Sequence, residues 1–432
     1  MGWYCLGNEL ILLLVLGMLL ISGLRDRRDN VLSLVGVVLV LGGLLMFMRL
    51  GLGNSVVNMG CGLLLIGGGI FCLSGDLKDR GLEFSLLVVL YLIGTVMVLS
   101  WSDFVGFYIG LEIQSLSGYL LMGWRRDVYS VESSIKYFVV GSVGSGLFLL
   151  GVVLVYVGVG SVSLEEIWVL CGFRNTGISV GLFLLLVGLL LKLGSGGFHQ
   201  WWIDVLEGGD VRSSGLISVV GKVSIILLIV RLMPILGEVK LVLVWSGVLS
   251  LVVSVLGCYY QRRIKRFMGY SSLGFLGSVL IMCGLCSLGD DLSSVMDYLL
   301  VYGGMSIGLW CVIEGVGVVS LDELRLALGN NGYLVGSVGL LFLSMVGLPP
   351  LYGFVVKFKL LLSVVGNGGL VLGLLMVVLG ILSGFNYVRW LKVAYYESLV
   401  SSGLERRVVR LGLVESLVVG LIVLLVFFGL VL

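Results

Sequence analysis

The sequence predicts an all-α polytopic membrane protein, and three observations carry that prediction. Hydrophobic residues make up 59% and charged residues 12% of the 432-residue chain, and the mean hydropathy is +1.17. Too few polar groups remain to cover a water-soluble surface. Apolar runs of about 17–25 residues recur from end to end, each long enough to cross the roughly 30 Å hydrocarbon core as a helix. These runs are continuously apolar, whereas the strands of a membrane barrel alternate apolar and polar positions over about ten residues.

In order, the spans fall at 8–24, 31–49, 55–74, 84–101, 103–123, 133–158, 176–203, 213–233, 239–257, 268–287, 294–316, 333–364, 367–391 and 409–431, about fourteen helices. They form a single membrane domain over 1–432: a three-helix segment in 1–83, five spans in 84–233, five in 239–395 and a C-terminal helix in 396–432. Span 1 is expected to belong to the series, because no small-residue cleavage site follows a basic start. The opening MGWYCL lacks the hydroxyl residue a myristoylation signal needs. The stretch SVSLEEIWVL (162–171) is too short and acidic to span, and is placed at the interface. The triplet Gly67-Gly68-Gly69 lies inside a span and reads as helix packing.

Loop charges give an independent check, since orientation follows the bias of Lys and Arg. Basic residues follow the odd spans: Arg25, Arg27 and Arg28 after span 1, Lys78 and Arg80 after span 3, and Arg125 and Arg126 after span 5. Arg212 follows span 7, QRRIKR (261–266) span 9, Arg325 span 11, and Arg406, Arg407 and Arg410 span 13. Loops after even spans hold little beyond Arg174 and Lys240. Both termini are therefore expected on the side away from the basic loops.

An ionisable side chain at mid-membrane costs about 2.5–3.5 kcal/mol even on lenient insertion scales, so each one needs a reason. Glu112, near the middle of span 5, Lys192 and Lys222 in spans 7 and 8, and Lys357 in span 12 are such residues. Glu112 is too short to snorkel from mid-span. A static Glu112–Lys192 pair and an ion path both remain open readings.

Two spans carry helix breakers beside a lysine. In KLGSGGFHQWW (192–202), Gly194, Gly196 and Gly197 follow Lys192; in span 12, Pro349 and Pro350 precede Lys357. Proline removes a backbone donor and glycine weakens the helix, so spans 7 and 12 should be discontinuous. Unwound backbone at membrane depth is tolerated only where it is buried in protein or lines a watery cavity. The broken spans lie an odd number apart and cross in opposite directions. Two inverted repeats of five helices, spans 4–8 and 9–13, satisfy that geometry. His199, the only histidine, begins the second half of span 7; it reads either as a core histidine or as a proton relay, since imidazole titrates near about 6.5.

Other motifs are weaker. Glu132 and Lys136 stand four apart and read as a stabilising helix pair. Lys359 lies roughly 200° around the helix from Lys357, so only one of them can face a shared axis. Cys283 and Cys286 sit inside an apolar run and read as small-residue packing, because a metal site requires more ligands. No haem, iron–sulfur or nucleotide-binding set can be assembled from the sequence, and no nucleic-acid partner is expected.

At these residues the chain resembles the antiporter-like membrane subunits of respiratory complex I and their relatives in cation/proton antiporters. The resemblance runs from about 84 to 395, through GLEIQSLSGYLL (110–121), VESSIKYFVVGSVGSGLFLLG (131–151), FHQWWIDVLEGG (198–209), SVVGKVSIILLIVRL (218–232), IKRFMGYSSLGFLG (264–277) and GLPPLYGFVVKF (347–358), in the family's order. Asp204 and Glu207, in the DVLEGG context, resemble the subunit-2 branch. The resemblance implies a central proton path through Glu112, Lys192, Lys222 and Lys357, with His199 beside it and Lys359 outside it. It also implies that NADH, FMN, iron–sulfur clusters and ubiquinone are held by other subunits of the complex, and that the partners are membrane-arm subunits, neighbouring antiporter-like subunits among them, and lipids such as cardiolipin. Two departures stand out: Gly197 occupies the place of the usual proline before Phe-His, and GGDVRSSG (208–215) replaces a loop rich in proline and small residues.

Residue usage adds a hint of origin. Alanine occurs only at 327 and 394 and threonine only at 95 and 176, a choice that suits a coding strand rich in T and G, as in small organellar genomes. Together with this hint, the resemblance implies a proton-translocating subunit of mitochondrial NADH:ubiquinone oxidoreductase in the inner membrane, and the loop charges place both termini on the intermembrane-space side. A stand-alone cation/proton antiporter subunit is the alternative, and a passive scaffold leaves the mid-membrane charges unexplained.

Overall fold

The computed structural model describes residues 82–170, 176–285, 292–317, 320, 323, 332–396 and 419–420. Spans 1–3, span 14 apart from 419–420, the Gly67–Gly69 triplet, Cys286 and the basic residues at 25–28, 78, 80, 174, 325 and 406–410 lie outside the described residues. Packing divides the chain into two compact units. One comprises the described residues up to Gly194 together with Gln200–Val242; the other comprises Ser195–His199 and the described residues from Leu243 onward.

In the first unit the helices are α1 (Leu82–Ser100), α2 (Phe104–Met122), α3 (Val128–Val159), α4 (Leu164–Leu170), α5 (Thr176–Leu193), α6 (Gln200–Gly208), α7 (Val211–Leu216) and α8 (Lys222–Leu236). A π-helical turn, Ile217–Gly221, joins α7 to α8, and a 3-10 turn, Gly237–Val239, follows Pro234. The second unit is built from α9 (Lys240–Tyr260) from Leu243 onward, α10 (Ile264–Leu285), α11 (Leu292–Val316), α12 (Gly332–Val346), α13 (Tyr352–Gly366) and α14 (Leu370–Tyr396). Spans 4–13 therefore each meet a helix, and the break between spans 8 and 9 falls where Gly237 turns the chain with φ +48. Among the described residues there is no β-strand, only two isolated bridges, and eight helical stretches are long and apolar enough to cross a membrane.

Lipid tails are as apolar as leucine, so helices in a bilayer associate through close packing of small residues rather than by escape from water. Helices α3 and α5 show this reciprocally. A Cβ on Gly188 would stand 2.6 Å from the Gly144 carbonyl, and one on Gly151 would stand 2.6 Å from the Gly181 carbonyl. Helices α1 and α2 meet similarly, with Gly94 against the backbone of Gln114. Helix α3 ends at Gly160, whose φ of 81 supplies the left-handed cap, and its N–H bonds the Tyr156 carbonyl at 2.7 Å.

The acidic stretch assigned to the interface forms the seven-residue α4, with Glu165 and Glu166 in its first turn, where the helix dipole favours negative charge. Backbone bonds Phe104 N–H to Val162 O and Leu164 N–H to Ser102 O tie it to the α1–α2 connection.

Within each unit an arginine on the last long helix donates to carbonyls at the end of the first. Arg231 of α8 reaches Leu99 in the last turn of α1 and Trp101 just beyond it, and Arg389 of α14 reaches Tyr259 at the C-terminus of α9. Carbonyls at helix ends have no intrahelical donor, so these side chains satisfy groups that hydrocarbon cannot.

Candidate functional site

Helix α5 stops at Leu193, and α6 starts at Gln200, so the glycine-rich stretch is non-helical as its composition predicts. Gly194 takes φ +63, in the region where glycine carries no Cβ penalty, and a Cβ there would lie 2.7 Å from the Cβ of Trp202. The break thus makes room for an aromatic side chain as well as ending the helix. His199 stands immediately before α6 rather than inside it. Its ring centroid is 6.5 Å from that of Tyr270, and Nδ1 is buried with no hydrogen-bond partner among the described residues.

Lys192, in the last turn of α5, lies along Gly144 of α3, whose missing side chain leaves space for the lysine stem. Its Nζ is 3.6 Å from Oε1 of Glu112 on α2, with the lysine side chain 6% exposed and the glutamate 28%. The two side chains thus lie side by side, an arrangement that both a static pair and an ion path allow. The separation exceeds the roughly 2.7–2.9 Å of a tight charge-assisted hydrogen bond. Neither atom has a hydrogen-bond partner among the described residues.

Lys222 opens α8 directly after the π turn, a feature often found at functional sites because it displaces one residue from the regular helical register. It is 3% exposed, and its Nζ sits 4.3 Å from the ring centroid of Trp202. Gln114 of α2 donates from Nε2 to the Tyr91 hydroxyl at 3.3 Å and to Oγ of Ser224 at 3.0 Å, bracing α1, α2 and α8. Lys192, Lys222, Gln114, Tyr119, Tyr137 and Trp202 line one small cavity of about 20 Å³. A space of that size admits about one water molecule when polar groups surround it.

In the second unit the break predicted at Pro349-Pro350 separates α12 from α13, and Lys357 lies in α13. Its Nζ donates to the carbonyls of Met345 and Val346, the last of α12, with Val346 at 3.1 Å. Lysine near a helix C-terminus is favoured by the dipole as well as by these acceptors. Lys357 also lines a cavity of about 460 Å³ with Tyr298, Tyr302 and Tyr387. Lys359 points elsewhere, pairing with Asp297 at 3.1 Å on an exposed face. The angular argument from sequence separates the two lysines as the structure does.

Around the first site, Lys136 bridges Glu132 at 2.8 Å and Asp204 at 3.2 Å, so the expected helix pair also fastens α3 to α6. Arg125 Nε meets Asp210 Oδ1 at 2.8 Å; the arginine is 49% exposed and the aspartate 1%. Asp210 is the residue before α7 in the loop that departs from the family pattern, and no motif or spacing points to its partner. Removing Arg125 withdraws compensation from a buried carboxylate. Because the arginine is half exposed, the cost is about 1–3 kcal/mol rather than that of a fully buried pair. Arg125→Ala is therefore expected to lower the thermal midpoint of the purified protein while exposed Arg126→Ala leaves it unchanged; equal midpoints would contradict this assignment. Among the described residues no cluster of three or more His, Cys, Asp or Glu side chains is arranged to hold a metal.

These features define a class: a polytopic helical protein that holds ionisable side chains beside interrupted helices inside an apolar bundle. A family model described as NADH:quinone oxidoreductase/Mrp antiporter, TM, matches residues 102–383. The chain is 32% identical to NADH-quinone oxidoreductase subunit N 1 of Acidiphilium cryptum, over 80% of this chain and 75% of that protein. It is 29% identical to NADH-quinone oxidoreductase subunit N of Rhodospirillum rubrum, over 93% of this chain and 91% of the relative. Its fold is similar to a chain of respiratory complex I from Thermus thermophilus, with a TM-score of 0.84 at 23% identity, covering 98% of this chain and 97% of that one. A chain of the Mrp complex from Dietzia sp. DQ12-45-1b gives 0.81 at 18% identity, covering 99% and 93%. The protein belongs to the family of antiporter-like membrane subunits that NADH:quinone oxidoreductases share with Mrp antiporters.

Proposed function

We propose that this chain is a proton-translocating subunit of a NADH:ubiquinone oxidoreductase in the mitochondrial inner membrane, driven by quinone reduction elsewhere in the complex. The proton path is assigned to Glu112, Lys192, Lys222 and Lys357, with His199 as a relay. The observation that carries this reading is that Lys192, paired loosely with Glu112, and the buried Lys222 line one cavity with room for about one water. A loose pair in a low-dielectric site can exchange a proton when the neighbouring charge changes, since each charge strongly alters the next group's proton affinity. Redox cofactors, NADH, FMN, iron–sulfur clusters and ubiquinone, are assigned to other subunits, and other membrane-arm subunits and cardiolipin are the expected neighbours. The test is NADH-driven proton uptake by the assembled complex in vesicles, with Lys222 and Glu112 replaced.

Two inverted repeats, 84–233 and 239–395, are proposed on paired internal contacts. Arg231 and Arg389 cap the first helix of their respective units, and the bridges Asp103–Ser163 and Arg263–Ser320 recur at matching positions. The mitochondrial setting rests on residue usage, the cited curated relatives being bacterial. A stand-alone cation/proton antiporter is the second reading, since the matched family also includes Mrp antiporters. Co-purification with flavin and iron–sulfur subunits supports the first reading; their absence supports the second.

Orientation is testable by single cysteines. With the native cysteines removed, Arg27→Cys and Arg263→Cys are expected to react from the same, matrix side, as the basic loop bias requires. Opposite accessibility would overturn the register of the spans between them.

A further inference from the structure

The two tryptophans of FHQWWID do different things. Trp201 stacks on Tyr137 of α3, centroids 5.6 Å apart at 17°, and Tyr137 meets Tyr119 edge-on at 4.7 Å. Trp202 sits edge-to-face against Trp201 at 5.7 Å and turns its own face to Lys222, whose Nζ is 4.3 Å from the ring centroid. The Trp202 ring is 2% exposed, and its indole N–H is buried with no acceptor among the described residues. The side chain is therefore placed by packing, in the space left by Gly194, and the polar contact it offers is its π-face. An ammonium over an indole face is attracted by the ring quadrupole, more strongly with tryptophan than with phenylalanine, and most of all where water is excluded.

We propose that Trp202 is a positioning residue for Lys222, holding its ammonium against the indole face and so setting how readily that group gives up its proton toward the cavity shared with Lys192. The inference rests on Lys222 being a proton carrier and adds the group that tunes it. A purely steric role for Trp202 predicts only that a residue of similar volume is needed. An electrostatic role predicts an order, Trp then Phe then Leu, in the pH at which the carrier is reloaded.

The other titratable groups on the same cavity are Tyr91 from α1, Tyr119 from α2, Tyr137 from α3 and Lys192 from α5, with Glu112 of α2 paired to Lys192. All of them are retained in a Trp202 series, so differences within the series report on residue 202.

The experiment is the pH profile of NADH-driven proton uptake by the assembled complex in vesicles, for wild type, Trp202→Phe and Trp202→Leu. The attraction favours the charged form, so weakening it leaves Lys222 protonated only at lower pH. The alkaline limb should move to lower pH by about one unit in Trp202→Leu, equivalent to about tenfold in proton affinity, and by less in Trp202→Phe. A Trp202→Leu limb that coincides with wild type overturns the proposal. Should Trp202→Leu not assemble, Trp202→Phe decides alone, and an unmoved limb in that variant also overturns it. Lys222→Met separates the two layers of the argument. If that variant loses transport while the Trp202 limbs do not move, the tuning role fails and the carrier role stands; if Lys222→Met transports at the wild-type rate, both fail together.

Discussion

Complex carrying Lys222→Met is expected to assemble normally and to lose proton transport by about 100-fold, the lower end of what a positioned proton donor contributes. Methionine keeps the length and apolar stem of lysine, so packing around the 3% exposed side chain is preserved while the titrating nitrogen is removed. Coupled quinone reduction should fall with transport, because the two are proposed to share one cycle. Lys222→Arg is expected to fail as well, since guanidinium does not deprotonate in proteins. Lys359→Met is the control: its pair with Asp297 is exposed, and such pairs contribute about 0–1 kcal/mol. Wild-type pumping by an assembled Lys222→Arg complex would make the charge at 222 structural.

The second large effect is expected at Glu112. Glu112→Gln removes the carboxylate facing Lys192 at 3.6 Å and should reduce proton uptake by about 100-fold with little change in assembly. A static pair makes a different prediction. Its two partners would matter only to each other, so Glu112→Gln combined with Lys192→Met, which removes both charges together, would restore function and stability. For a proton path the double replacement stays inactive. Proton uptake by the double variant, scored beside its thermal midpoint, therefore decides between the two readings that the sequence left open.

Span positions were legible because a bilayer imposes a length and a composition on every crossing helix, and spans 4–13 fall on helices accordingly. The breaks were legible for the same kind of reason: three glycines, or two prolines, beside a lysine have few other uses at that depth. Asp204 stands out in the sequence as a motif residue, but its bond to Lys136 does not, since partners 68 positions apart leave no periodic trace. The tie between Arg125 and Asp210 was hidden because it lies in the loop where the chain departs from the family pattern, and there the resemblance offers no guide. Trp202 was hidden differently. Whether an indole on a short helix packs against lipid, another ring or an ammonium depends on the direction in which the chain re-enters α6, and the conformation of Gly194 helps to set that direction.

Lys357 donates to Met345 and Val346, so one ammonium serves two masters: it is a charge that can be lost, and it is the terminator of a half-helix. Deprotonation would strip the charge assistance from both bonds at once, and the end of α12 would then favour a different arrangement. The proton is in that sense a ligand of the break, and linkage makes the relation run both ways. Any force that remodels the 347–351 connection changes the proton affinity of Lys357 by the same factor that protonation changes the connection. The protonation state of one side chain and the arrangement at the end of one helix are thereby two readings of a single equilibrium.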